Sequence, residues 1–277
     1  MSFRVNTNVS AMRSLSQLNK TSDEMSMRQM RLSTGSRINR AEDDSAGYSI
    51  ARKLESKTRG QAQALSNIGD AKSLLTVAEG SLGSVQDILM SMKEKAVQAA
   101  NDTLGATERT AIANELTAMV SEINDITGNT EFNGHNLLDA TGGDGAGAFS
   151  FQVGAGSADT FAVDLSGVLT DDASLGIDAL DVSDAANAGT SIDSIDAAIE
   201  TVSGYLSSIG DSQKRLSFKA DNLETSKTNY ESARSRIEDA DFAQEQMNIV
   251  KLQILQQTGT ASFAQANSAP QAVLSLF

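Results

Sequence analysis

Apolar residues recur every seven positions at both ends of the chain, and the stretch between them does not repeat. Ala11, Leu18, Met25 and Leu32 fall seven apart among Ser, Gln and Asn, with Met12, Leu15 and Met30 beside them. A stripe this narrow suits a seam against one partner helix better than a broad core. The helix should start after Asn6-Thr7-Asn8, where an Asn or Thr side chain can accept from free backbone N–H groups. It should end at Gly35, which can take the left-handed conformation that terminates a helix.

After a connection over 36–47 comes a much longer helix, from about Tyr48 to Ala100. One column on it reads Leu54, Gln61, Ile68, Leu75, Leu82, Leu89, Ala96; a second reads Ala64, Ala71, Ala78, Val85, Met92, Ala99. At 1.5 Å per residue it would run roughly 75–80 Å, far beyond the usual globular helix. A third helix, about Thr107 to Thr127, carries Ile112, Leu116, Met119, Ile123 and Ile126 at three, four and seven spacing.

The period then changes. Phe149, Phe151, Val153 and Phe161, Val163, Leu165 alternate with small or polar residues around a Gly-rich turn, which predicts a β-hairpin over about 148–166. The stretch from about Leu169 to Thr190 is rich in Asp, Ala and Ser without a clear period, and is expected to be a surface segment with little structure of its own. The last helical tract should run from about Ser191 to Ala266, open to interruption near Gly204 or Gly210. Its seam is Ile209, Leu216, Leu223, Tyr230, Ile237. Beyond that it changes face, to Phe242, Ile249, Phe263 and to Met247, Ile254, Ala261. The fold class is therefore mainly α: a long antiparallel coiled-coil rod with paired terminal helices and a small β-hairpin region.

Composition supports thin seams. The 277 residues include one Pro, no Trp, no Cys and only 4% aromatics, so long helices can run unbroken and cores must come from Leu, Ile, Val, Ala and Met. Without Cys there is neither a disulfide framework nor a thiolate metal site. No stretch resembles a secretory signal peptide or a membrane span.

Charge divides the same way as the repeats. Between Ala111 and Gln213 lie 17 acidic residues and no Lys or Arg, so all 22 basic residues fall outside. An acidic middle repels phosphates, and no dense basic patch exists elsewhere, so nucleic-acid binding is not expected. Nor do the ends have the Lys/Arg-rich polar face of interfacial membrane helices.

Candidate chemistry is sparse. His135 stands alone in a Gly/Asn turn, and there is no metalloprotease, P-loop or nucleophile motif. Asp43-Asp44 sits beside Arg37 and Arg40 and reads as turn capping and ion pairing, and Asp139 and Asp144 lack Ca²⁺-loop spacing. The dense apolar C-terminus (Val273, Leu274, Leu276, Phe277) needs burial, at roughly 1.5–3 kcal/mol per large side chain. A chain of thin seams favours a contact with another molecule.

Several motifs carry a resemblance. The run A-R-S-R-I-E-D-A-D-F-A (Ala233 to Ala243), Q-I-L-Q-Q-T-G-T (from Gln253), A-Q-A-N (from Ala264) and the final V-L-S-L-F resemble bacterial flagellins. So do R-L-S-T-G-S-R-I-N (Arg31 to Asn39), D-D-S-A-G (Asp43 to Gly47), E-F-N-G (from Glu131) and F-Q-V-G-A (from Phe151). The resemblance covers roughly 1–165 and 190–277.

It implies a structural subunit, not an enzyme and without cofactor, that polymerises into the extracellular flagellar filament for motility. Residues 1–42 plus 235–277 would form the inner, filament-core domain. Residues 43–234 would form the rod, with the hairpin and a short acidic variable segment at about 139–190. The expected polymerisation seams are Leu15, Leu18, Met25, Leu32, Ile237, Phe242, Met247, Ile249, Ile254, Phe263, Leu274 and Phe277. The implied partners are the chain itself, an export chaperone on the C-terminal helix, and hook-associated and cap proteins. Export would be unfolded, through the flagellar type III channel, with no membrane insertion. Alternatives are a hook–filament junction protein, which shares the helical ends, or a secreted coiled-coil adhesin.

The family also carries a patch read by animal innate immune receptors, at Leu89, Ser91, Lys95 and the supporting Glu115. Ser91 stands where recognised members carry Arg, and Lys95 where they carry Leu, so weak receptor activation is expected.

Overall fold

The structure is a computed structural model and describes residues 7–139, 142 and 147–274, with side chains as far as Ser268. Six helices and two short hairpins make up the described residues. Helix α1 (Val9–Thr34) begins where Asn8 accepts from the Ala11 amide at 3.0 Å and ends at Gly35 with φ 72°. Helix α2 runs Ser45–Ala99 and α3 runs Ala106–Asn129. A tight hairpin, β1 (Glu131–Phe132) with β2 (His135–Asn136), follows, and Asn133 and Gly134 at its turn both have positive φ. The next hairpin pairs β3 (Ala148–Gln152) with β4 (Thr160–Asp164), with Phe149 opposite Val163 and Phe151 opposite Phe161. Then come α4 (Asp172–Leu175), α5 (Ala185–Glu238) and α6 (Phe242–Leu274).

By its contacts the chain divides into two compact units, residues 59–227 and residues 1–58 with 228–277. In the first, α2 and α5 run antiparallel, tied by Gln61–Ser226, Gln86–Ser203 and Lys93–Asp196. Both predicted α2 columns are buried from Gln61 to Ala99. They meet Ile112, Leu116 and Ile123 of α3, and Ile195, Ala198, Val202, Ile209 and Leu216 of α5. The second column is mostly Ala, which lets the neighbouring helices approach α2 closely. The β3–β4 hairpin closes this bundle. Asn67 on α2 donates to the Gln152 carbonyl at 2.9 Å, and the Arg215 guanidinium and Lys219 ammonium of α5 lie 4.7 and 5.7 Å from the Phe161 ring centre.

Two expectations are corrected here. The segment 169–190 is packed, not loose: Thr170, Leu175, Ile177 and Val182 are buried, and α5 already starts at Ala185. Thr170 pairs with Thr127 on α3 at 2.8 Å, and buried Arg109 donates to the carbonyls of Asn101 and Ser183. Turns set the spacing of its apolar residues, so no period shows. Gly204 and Gly210 do not interrupt α5 either. Their cost of roughly 1 kcal/mol each is outweighed by the burial of Val202, Ile209 and Leu216 beside them. The break comes at 239–241 instead, where the Asp241 carboxylate accepts from the Gln244 amide and caps α6.

Candidate assembly surfaces

In the unit formed by residues 1–58 with 228–277, α1 and α6 pair antiparallel. Asn8 donates to the Ala266 carbonyl at 2.8 Å, Leu18 lies against Gly259, and Arg28 meets Glu245. Beyond α1 the chain bonds back onto the α5–α6 junction: Arg37 donates its amide to the Glu238 carbonyl, and Ala240 donates to that of Gly35.

The shielded face of each helix alternates three and four residues. On α1 it is Ala11, Ser14, Leu18, Thr21, Met25, Arg28 and Leu32; on α6 it is Glu245, Ile249, Leu252, Gln256, Gly259, Phe263 and Ala266. This is the a/d pattern of a two-stranded coiled coil. Its polar positions are specific. The Arg28 Nη1 donates to both Glu245 carboxylate oxygens at 2.9 Å, and Arg31 stands 3.7 Å away; the Glu245 side chain is nearly buried. Only the Glu245 half of this pair is shielded, the Arg28 side chain being 32% exposed, and an ion pair set inside an apolar seam penalises shifted registers that would leave its carboxylate unpaired.

The expected seam residues therefore separate into two sets. Leu18, Met25, Leu32, Ile249 and Phe263 lie in the internal α1–α6 seam, and Ile237 is half-buried on α5. Leu15, Phe242, Met247 and Ile254 face out, Phe242 being 64% and Ile254 58% exposed. The Leu274 side chain and Phe277 lie outside the described residues. Sequence reasoning missed Arg28, Glu245 and Leu252 in the inner seam because it followed apolar columns alone. The three–four spacing, counted through polar residues, contains them. It also missed Val250 and Leu255, which join Met247 and Ile254 on an outward apolar stripe of α6. On α1, Val9, Met12, Leu15, Met27 and Met30 are exposed in the same way.

The Asp43-Asp44 pair works in the backbone. One Asp43 oxygen accepts from the amides of Asn39 and Arg40, each at 3.0 Å, and Asp44 accepts from the Gly47 amide at 2.9 Å. Those backbone donors, first Asn39 and then Arg40, hold the Asp43 carboxyl below its ordinary value of 3.8. Arg40 pairs with Glu42 at 3.1 Å. His135 is exposed on β2 and touches the edge of Phe149.

In the other unit, the four residues of the expected receptor patch are not equivalent. Leu89 is fully buried in the bundle core, whereas Ser91 and Glu115 are exposed and Lys95 is half-buried in an ion pair with Glu115. Among the described residues no helix is long and apolar enough to cross a membrane.

The two ends of the chain that pair here are also the regions that match a known family. Residues 5–142 match the bacterial flagellin N-terminal helical region, and residues 192–277 match its C-terminal helical region. The chain belongs to the flagellin family. It is 40% identical to a flagellin of Halalkalibacterium halodurans over 246 residues, 89% of each chain. It is 35% identical to the Bacillus subtilis flagellin, over 99% of both chains. It is also 35% identical to the flagellar filament 33 kDa core protein of Treponema phagedenis, over 98% of this chain and 99% of the other. Among solved structures, the Bacillus cereus flagellin is 33% identical, with a TM-score of 0.50 over 57% of this chain and 88% of that one. A putative flagellar hook-associated protein of Vibrio parahaemolyticus shares the fold, with a TM-score of 0.59 at 20% identity over 71% of this chain and all of the other. As a flagellin, the chain is a structural subunit of the extracellular flagellar filament and serves motility. The family self-assembles, and its role is structural rather than catalytic.

Proposed function

We propose that the α1–α6 pair is the polymerising core element, with residues 1–42 and 235–277 in the filament interior and 43–234 as the surrounding rod. The observation that carries this reading is the outward stripe Met247, Val250, Ile254 and Leu255 on α6, with Met12 and Leu15 exposed further along the pair on α1. Several large apolar side chains exposed on one face of a helix mark a contact site. Before assembly a chaperone would cover α6, and the chain would travel unfolded through the type III channel, with no disulfide to resist threading. Cap and hook-associated proteins would meet the same surfaces at the filament ends. Ile254→Glu leaves the inner seam intact, so the variant should fold with an unchanged Tm yet form no filaments after salt seeding under negative-stain microscopy. Filaments of normal length would refute the role of the stripe.

A second reading concerns immune recognition. Leu89 is buried, and Lys95 engages Glu115. Ser91 cannot supply the planar, bidentate donor of an Arg. Receptor activation by this chain should be weak, and full potency in a reporter assay beside a standard flagellin would overturn that.

A further inference from the structure

Sulfur in this chain is confined to nine Met, because there is no Cys. The described thioethers divide by burial. Met92 is fully buried in the rod core, and Met25 and Met119 are half-buried, whereas Met12, Met27, Met30, Met90 and Met247 are exposed. Four of these five stand on α1 and α6, the two helices that pair. A thioether is soft and apolar, and oxidation turns it into a polar sulfoxide.

Surroundings separate the four. Met27 and Met30 line a cleft with Asp23, Arg31, Arg40 and Asp43, so a new polar group there joins polar neighbours. Met247 is 59% exposed and opens the α6 stripe of Val250, Ile254 and Leu255. Along α6 the only charges are Glu245, bonded to Arg28 of α1, and Lys251. Met12, 64% exposed, stands between Val9 and Leu15, which are exposed with it. We propose that Met12 and Met247 are oxidation-sensitive assembly contacts: a hydroperoxide converts them to sulfoxides in the free chain and so blocks its entry into the filament, which shields them once they are built in.

The step balances with the hydroperoxide as oxidant. The Met sulfur gives an electron pair to one peroxide oxygen and forms the S–O bond. The O–O bond breaks, and with hydrogen peroxide the second oxygen leaves as water. The sulfur is oxidised and the peroxide reduced. Folding is not where the cost falls, since both sulfurs already face water in the folded chain. Assembly is, because a sulfoxide covered by a neighbouring subunit gives up its hydration. The inference rests on the outward apolar residues of α1 and α6 being assembly surface, and adds the chemistry that disables them.

The test treats the full chain, as free subunits, with hydrogen peroxide, removes the reagent and seeds growth. Mass spectrometry should show sulfoxide at Met12 and Met247 and none at Met92, with circular dichroism and Tm unchanged. The critical concentration should rise about tenfold. Each variant is compared with its own untreated sample: M12L/M247L should lose most of that rise, and M27L/M30L should keep it. Oxidised wild-type chains that grow as well as untreated ones, or M12L/M247L chains as sensitive as wild type, would overturn the oxidation effect and leave the stripe standing. Preformed filaments should resist oxidation at Met12 and Met247. Sulfoxide forming there as fast as in free subunits would mean that these residues stay in water after assembly, and would overturn both.

Discussion

Single side chains in this flagellin mostly settle register and turn geometry. Glu245 is the clearest case, because its carboxylate holds Arg28 and stands near Arg31 inside an otherwise thin seam. Glu245→Ala leaves two guanidinium groups beside an apolar stripe, one of which already has an unpartnered Nε. The loss should be roughly 1–3 kcal/mol, read as a lower Tm of the monomer by calorimetry. Asp43 makes a prediction in pH. Its folded-state value is depressed by two backbone donors. The stability it contributes is therefore complete above its ordinary value of 3.8 and drains away as pH falls through the lower folded value. Asp43→Asn should flatten that acid limb in a Tm series from neutral to acid pH, and an unchanged limb would place the acid sensitivity elsewhere.

The helices show which kinds of pattern the sequence made legible. The cap at Asn8, the stop at Gly35, the two α2 columns and the β3–β4 hairpin follow from local chemistry, and each stands where its residues predict. Local rules failed where long-range packing decides. Glycines 204 and 210 signal a break, but the helix runs on because its buried face continues past them. The true interruption at 239–241 is signalled by no glycine or proline. It is stabilised by the Asp241 cap, by the Ala240 amide donating to the Gly35 carbonyl and by the Arg37 amide donating to the Glu238 carbonyl, with partners some two hundred residues apart in sequence. The segment 169–190 looked unstructured because α3 and successive turns, not a period, place its apolar residues. The proposed assembly surface was legible only in part. Apolar columns found Phe242, Met247 and Ile254, but could not tell the face turned to α1 from the face turned outward, since both are apolar at similar spacing.

At the scale of the whole molecule, the two units have different means of standing alone. Residues 59–227 enclose a continuous core from Ile68 to Leu216, closed by a hairpin and pinned by Arg109. The α1–α6 pair has only one narrow seam, and each helix is the other's main cover. Deleting Phe242–Phe277 removes the outward stripe and strips α1 of its partner, so Ala11, Leu18, Met25 and Leu32 lose their shielding. A 26-residue helix rich in Ser, Gln and Met has little stability without tertiary support, so α1 should fray. The remaining core should be untouched. The truncated chain is expected to sediment as a soluble monomer, to keep one cooperative unfolding transition, and to give no filaments after seeding. Filaments of normal length from that truncation would mean that polymerisation runs through the rod alone.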